Sequence, residues 1–371
     1  MALLGKKIKK KNGINEVLYY SLQGCIRIKN QKYIMEDGSS TDYLRLCNRD
    51  SFHHYSSGLC HLIEEWSDDL SYEKVSNLLS QVTGSEVLSS SGVQSYLECK
   101  AESISKNWVS QSNTTVKEIE VLSDILIYEA EESEVILMMD DVGVKAQKPR
   151  KKVARQAQDA KRLDTTVILV QDADKTYHYA TKGIDKTGKT IYSVEQALID
   201  KVSQLHDLSQ PIPIVAITDG ARSIRLVLQA IFGLNLCIIL DWYHLQLKLK
   251  NLMSMIAYNK ADKELYINDL KELLWFGNAT EAMIYLDNMD KIKNEAKHKE
   301  LRDYIEKHQK EIINYDLRQS VHKTIGSGRC EKANDLVVAH RQKKKGMAWS
   351  RVGSSALAII KTNRINLYRA A

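Results

Sequence analysis

Apolar positions along this chain change their period several times, and each change marks an expected element. Residues 17–46 hold two short β-like pieces, VLYYSL and CIRIKNQKYI, separated by Gly24. Over residues 58–105 the spacing is helical. Tyr72, Val75, Leu78, Leu79 and Val82 recur at helix spacing, Gly84 breaks the run, and Ser89, Ser90 and Ser91 offer a cap for a second helix that buries Val93, Leu97 and Ile104. From residue 134 the pattern changes: EVILMMDDVGVKA reads as a buried strand, and TTVILVQDAD and TYHYATKGID read as two more strands joined by a tight turn. A helix over 193–207, the strand PIVAITDGA, a helix over 222–232 and the strand LCIILDWYH follow. Residues 245–325 carry helix-spaced apolar residues such as Leu270, Leu273, Leu274, Met283, Ile284 and Leu286, with no alternating stretch. A last helix opens near GSGRCEKANDLVVAHRQKKK.

Three strands, helix, strand, helix, strand is the order of an RNase H-like α/β sheet whose first three strands form an antiparallel meander. The expected fold class is therefore α/β: an RNase H-like catalytic domain with an all-helical insertion, preceded by a smaller, mainly helical N-terminal region. The pattern changes set the expected divisions: an N-terminal segment with short strands over 1–57, a helical region over 58–130, the first part of the core over 131–244, the helical insertion over 245–325, and the C-terminal catalytic helix and tail over 326–371.

Composition adds what the chain does not do. Its longest apolar runs, such as Val135 to Met139 and Leu236 to Leu240, are far too short to cross a bilayer, and the opening MALLGKKIKKKNG lacks the form of a secretory signal. The expectation is a soluble, cytoplasmic, nucleoid-associated protein with no membrane partner. Six cysteines lie far apart with no CxxC pair, which argues against a zinc ribbon and against a disulfide framework. The net charge of +6 is modest, but the positive charge is clustered. Residues 6–11 are mostly lysine; Lys145, Lys148, Arg150, Lys151, Lys152, Arg155, Lys161 and Arg162 face one acid, Asp159; Arg341, Lys343, Lys344 and Lys345 form a third cluster. Such clusters are often no more than solvated faces, yet the second and third each follow a carboxylate with chemical potential, which suits a polyanion. The two helices of 58–105 are compatible with a helix-turn-helix and equally with a plain helical hairpin.

Asp140 and Asp219 each end an apolar strand, where open α/β sheets carry their sites. Carboxylate oxygens suit hard divalent ions such as Mg²⁺ or Mn²⁺. Two such ions can activate the attacking oxygen and stabilise the leaving one in a displacement at phosphorus. Glu331, in the first turn of the last helix, supplies a third carboxylate, although a first-turn Glu also simply favours a helix dipole. On that helix Ala333, Leu336, Val337 and His340 form the expected apolar stripe, with Glu331, Asp335, Val338, Gln342 and Lys345 on another face. The first acid is doubled, so Asp141 is an alternative to Asp140. Asp241 and His244 follow the fifth strand, either as a structural hydrogen-bonded pair or as near-site residues. Trp275 reads as core, or as a platform for an unpaired base.

Three segments together resemble a family. GSGRCEKANDLVVAHRQKKKGMAWSRVGSSALAIIKTNRIN, with Gly326, Ser327, Gly328, Glu331, Arg341, Lys343, Gly346, Met347 and Trp349, looks like the C-terminal signature of bacterial insertion-sequence transposases of the Kra type, relatives of the Mutator-like transposases. DDVGVK resembles their first catalytic strand, and TDGA followed by DWYH resembles the second catalytic strand and an Asp-x-x-His signature. The resemblance implies a DDE transposase. Asp140, Asp219 and Glu331 would hold two Mg²⁺ or Mn²⁺ ions, and Lys145, Lys148, Arg150, Lys151, Lys152, Arg341, Lys343 and Lys345 would touch DNA. The implied partners are the element's terminal inverted repeats and target DNA, with a homo-oligomer assembled on them. An RNase H-like nuclease or resolvase without strand transfer, or a silent transposase-derived DNA-binding protein, are the rival readings.

Overall fold

The computed structural model describes residues 2–3, 6–47, 54–112, 119–148 and 161–370. Arg150, Lys151 and Lys152 lie outside them. The chain opens with an antiparallel sheet in chain order: β1 (Ala2–Leu3), β2 (Lys6–Ser21), β3 (Gly24–Met35) and β4 (Ser40–Asp42). The β2–β3 strands, of 16 and 12 residues, are much longer than the two short pieces expected. The lysine-rich run forms a strand because it is paired: Ile8 lies across from Met35 and Lys11 from Tyr33. There Tyr33 and Met35 close a small core with Leu46 of α1 (Tyr43–Cys47) and with Ile8.

Three helices follow: α2 (Ser57–Ser67), α3 (Tyr72–Thr83) and α4 (Ser90–Gln111). Ser56, Ser71 and Ser89 each accept a backbone N–H in the first turn, and Gly84 closes α3 in the left-handed conformation. Val93, Leu97 and Ile104 of α4 are buried as their spacing predicts.

The main sheet is built from β5 (Val135–Lys145), β6 (Arg162–Gln171), β7 (Tyr177–Ala180), β10 (Ile214–Thr218) and β11 (Cys237–Leu240). The hairpin β8 (Gly183–Ile184) and β9 (Thr190–Tyr192) and the helices α5 (Val194–Leu205) and α6 (Arg222–Phe232) lie between them in the chain. Its strand order is β11-β10-β5-β6-β7. The first three of these run parallel, and β5, β6 and β7 are antiparallel neighbours. The molecule is thus mixed α/β around a mixed five-stranded sheet.

Side-chain alternation along β5 divides the core. Leu137 and Met139 face one cluster, with Leu198 of α5 and Leu228 of α6. Ile136, Met138, Val142 and Val144 face the other. That second cluster also takes in α2 to α4 and the remaining helices, so one buried core continues across residues 130 and 245.

After β11 come α7 (Trp242–Ile256), α8 (Lys260–Trp275), α9 (Ala279–Asp287), α10 (Glu295–Lys307) and α11 (Tyr315–Ser320), with no strand among them. Then α12 (Gly328–Asn334) runs into a π-helical turn, Asp335–Ala339, and a last short turn α13 (His340–Gln342), before the 20-residue α14 (Arg351–Ala370). Among the described residues no helix is long and apolar enough to cross a membrane.

The π-turn corrects the expected helix faces. Wide i→i+5 turns insert an extra residue and rotate everything beyond them. Val338 and Gln342 are therefore buried beside Val337, whereas His340, assigned by spacing to the apolar stripe, is exposed and pairs with Asp69 at 2.9 Å.

Candidate active site on the central sheet

The register of β5 and β10 sets two acids side by side. Ile217 lies across from Met138, so two residues further along each parallel strand come Asp219 and Asp140. Asp140 falls between Met138 and Val142 in the alternation, on the face of the sheet where Val215 and Ile217 also lie. Helix α12 covers that same face, burying Cys330 and Ala333 in the same cluster. Glu331 is therefore on the same side of the sheet as the two aspartates. Asp141 alternates to the other face, where its Oδ1 accepts from the Thr166 hydroxyl at 2.5 Å.

Each acid has a different environment. Asp140 is held by the Asn334 amide at 2.6 Å and by the Asp141 N–H at 2.7 Å. Burial pushes its carboxyl above the usual range and the Asp219 charge adds to this, while the hydrogen bonds and the His244 charge work against it. Asp219 accepts from the Ala221 N–H at 2.8 Å. Gly220, at φ +85°, is forced by its neighbour as well as by its backbone, since a Cβ there would fall 2.7 Å from the His308 ring. That imidazole is fully buried in a network with Arg225 and Glu311. The Glu331 side chain is 63% exposed, its Oε1 lying 3.9 Å from His244 Nε2.

Asp241 is a hub. Only 1% exposed, it caps α7 through the Tyr243 and His244 N–H groups and accepts both the N–H and the hydroxyl of Ser327. His244 Nδ1 sits 3.3 Å from it. Burial acts to raise the Asp241 carboxyl, but the hydrogen bonds from His244 and Ser327 outweigh it and hold the group below the ordinary value. The His244 imidazole is raised, first by its hydrogen bond to Asp241 and then by the charges of Asp241, Asp219 and Glu331. Gly326 lets the turn before α12 approach: a Cβ would lie 2.6 Å from the Tyr243 ring. The Asp241–Ser327 bonds thus tie the start of α12 to the end of β11 and fix where Glu331 begins.

As placed, no group of three or more His, Cys, Asp or Glu side chains among the described residues stands ready to hold a metal ion. The three acids share a face, but Asp140 is turned to Asn334 and Glu331 toward His244. Their chemistry nevertheless fits a hard divalent cation. The donors are carboxylate oxygens, two of them in neighbouring strands. The Asn334 Oδ1 is buried without a hydrogen-bond partner on the amide that holds Asp140. Compared with known proteins, the chain matches no family model and no curated protein.

The expected basic residues divide. The Ala146–Trp349 bridge brings the end of β5 against the 343–350 loop, so exposed Lys145 and Lys148 stand on the segment that meets the loop bearing exposed Lys343, Lys344 and Lys345. Arg341 does not join this surface. It is 6% exposed, donates to the Ser67 carbonyl at 3.1 Å, and lies against the Trp349 and Tyr72 rings at 4.8 and 5.8 Å. Trp275 is packed against Trp242 and Tyr315 and donates to Asp316. Helix α4, the second helix of the expected pair, buries one face in the main core and leaves Ser89, Ser90, Ser91 and Ser95 exposed at its start.

Sequence reasoning missed Asn334 and His308, and it named Ser327 only as part of the family-like segment, without its bond to Asp241. Asn334 was within reach, because a residue three positions after Glu331 shares its helix face. His308 carries no local signal for its place beside Gly220.

Proposed function

We propose that this protein is a DNA transposase of the DDE type, using Asp140, Asp219 and Glu331 for phosphoryl transfer on DNA, within an RNase H-like domain carrying an all-helical insertion. The observation that carries the reading is that adjacent parallel strands, paired up to Ile217 and Met138, bring Asp219, just past the end of β10, and Asp140, within β5, to the same side of the sheet, with the Glu331 helix laid over that face. The strand order and the unbroken run of helices between β11 and α12 agree with it. The 112 residues from Asp219 to Glu331 are then a detour through α7 to α11 that returns the chain to the site.

Mg²⁺ or Mn²⁺, held by these three carboxylates with the Asn334 carbonyl oxygen in reach, would supply Lewis-acid activation of the attacking oxygen and charge stabilisation at phosphorus. The chain's own residues do the rest. Asn334 holds Asp140, Asp241 anchors the turn that delivers Glu331, and His244 stands between Asp241 and Glu331, at 3.3 and 3.9 Å. The lysines at 145, 148, 343 and 345 provide phosphate contacts that fix position without reading sequence. The DNA would be an element's terminal repeats and its target, gripped by more than one copy of the chain.

The test is cleavage and joining of DNA bearing the inverted repeats that flank the encoding gene. The wild-type chain cleaves with Mg²⁺ or Mn²⁺ and not in excess chelator, and D140A, D219A and E331A each abolish cleavage while binding DNA. Activity that survives chelation, or that D141A removes and D140A spares, overturns the reading. Cleavage without joining would make the protein a nuclease or resolvase, and binding without cleavage a silent derivative.

A further inference from the structure

Beyond the acids along β5, three cations from distant parts of the chain meet around one cleft of about 250 Å³. Arg162 opens β6 and pairs across to Lys145 at the end of β5. Lys182 precedes β8, and Arg351 opens α14. Ser355, buried, lies in the wall, and Asp164 is the one carboxylate that lines it. Asp164 is engaged with Arg162 at 2.7 Å. What Lys182 is offered is a backbone carbonyl at the long distance of 3.5 Å. Among the described residues the Arg351 side chain makes no ion pair or hydrogen bond, and it stands at a helix start, where the helix dipole disfavours a cation. The Lys182 ammonium is pushed below the usual lysine range by burial and then by the Arg351 charge; Asp141 and Asp164 act in the opposite direction without cancelling this. Folding thus brings like charges together around a space whose one acid among the described residues, Asp164, is already engaged by Arg162.

We infer that this cleft is a phosphate-binding site that takes a backbone phosphodiester of a nucleic-acid strand, with Lys182 and Arg351, neither in an ion pair among the described residues, as its cations. A tetrahedral anion satisfies both and finds a hydroxyl wall in Ser355. The cleft is displaced from the acids along β5: Arg162 to Thr165 pair with Lys145 to Val142, whereas Asp140 pairs with Val167. The inference rests on the proposed DNA substrate for the identity of the strand, and because none of the three carboxylates lines the cleft, the two readings can fail independently.

The experiment measures binding of a labelled DNA duplex to the full chain by fluorescence anisotropy across a salt series, beside thermal shifts with inorganic phosphate. K182Q combined with R351Q weakens duplex binding about tenfold at 0.1 M salt and lowers the log–log salt slope by about 1, the loss of one phosphate contact. Single R351Q, at an exposed side chain, shows the same direction if the double variant folds poorly, and R351K restores binding. Unchanged affinity and slope overturn the inference. So does a wild-type chain stabilised by inorganic phosphate through these residues while its DNA affinity ignores them, which would make this a site for free phosphate. A wild-type chain that binds duplex through Lys182 and Arg351 and never cleaves it leaves this site standing and removes the catalytic reading.

Discussion

Two carboxylates on the same sheet, Asp241 buried and Asp140 half-buried, have opposite fates. Asp241 is 1% exposed and collects backbone and hydroxyl donors from Tyr243, His244 and Ser327, so its ionised form is stabilised in place. Asp140 is also withdrawn from water but is offered one side-chain amide and one backbone N–H, with Asp219 on the neighbouring strand, and its ionised form is disfavoured. The first is a joint of the fold, complete as it stands. The second is a carboxyl that the fold leaves short of partners, which is the property the proposed cation site relies on.

The contrast can be broken most severely at the joint. Asp241→Ala removes the acceptor of Ser327 and the cap of α7, and unfolding in urea should show a loss of about 3 kcal/mol, the scale of several buried bonds to a charged group. A loss below about 1 kcal/mol would mean that the hub is not structural. Arg341→Ala should cost roughly 2 kcal/mol through lost packing between Tyr72 and Trp349 and the lost bond to Ser67, and should leave the salt dependence of DNA binding unchanged. Replacing Lys343 and Lys345 together should do the reverse, sparing stability and lowering the salt slope by up to about 2.

At Asp140 the expected sign is opposite to that at Asp241. Because the folded carboxyl lies above its ordinary value of 3.8, its contribution to stability is present at acid pH and is lost as pH rises through the folded value. Asp140→Asn should therefore raise the thermal midpoint at pH 7 in metal-free buffer while abolishing cleavage. A lowered midpoint would remove the contrast with Asp241.

The smallest expected effect is on pH dependence. His244 is raised above 6.5, so its stabilising share is complete below 6.5 and fades as pH rises through the folded value. Asp241 is depressed below 3.8, so its share is complete above 3.8 and fades as pH falls through the folded value. His244→Gln should flatten the stability profile on the alkaline side of 6.5 and leave the acid limb unchanged. An unchanged alkaline limb would detach His244 from the acids.

Much of this was legible in the sequence because burial writes itself in period. The five main strands are short apolar runs covered on both faces, and α6 spans the very residues that spacing suggested, Arg222–Phe232. Alternation from Met138 to Val142 sets Asp140 and Asp141 on opposite faces, but which face meets the last helix leaves no trace in the local pattern, so the sequence left Asp141 open beside Asp140. Other features leave no such trace. The first part of β2 hides in a lysine run because a solvated stretch of strand has no apolar face to read, and only its end, within VLYYSL, was marked. The π-turn at Asp335–Ala339 changes which side of the helix is buried without any special composition. Arg341 looked like a surface cation because its partners, Tyr72 and Ser67, lie some 270 residues earlier in the chain.

The central claim is that the Asp140 face is short of a cation where the Asp241 hub is not. Calorimetric titration of the full chain with Mn²⁺ at neutral pH tests it most directly, with D140N and D141N run alongside. The account predicts saturable binding by the wild-type chain, binding lost in D140N and kept in D141N on the opposite face, and a rise in thermal midpoint that follows the same order. Equal Mn²⁺ binding by wild type and D140N would contradict it.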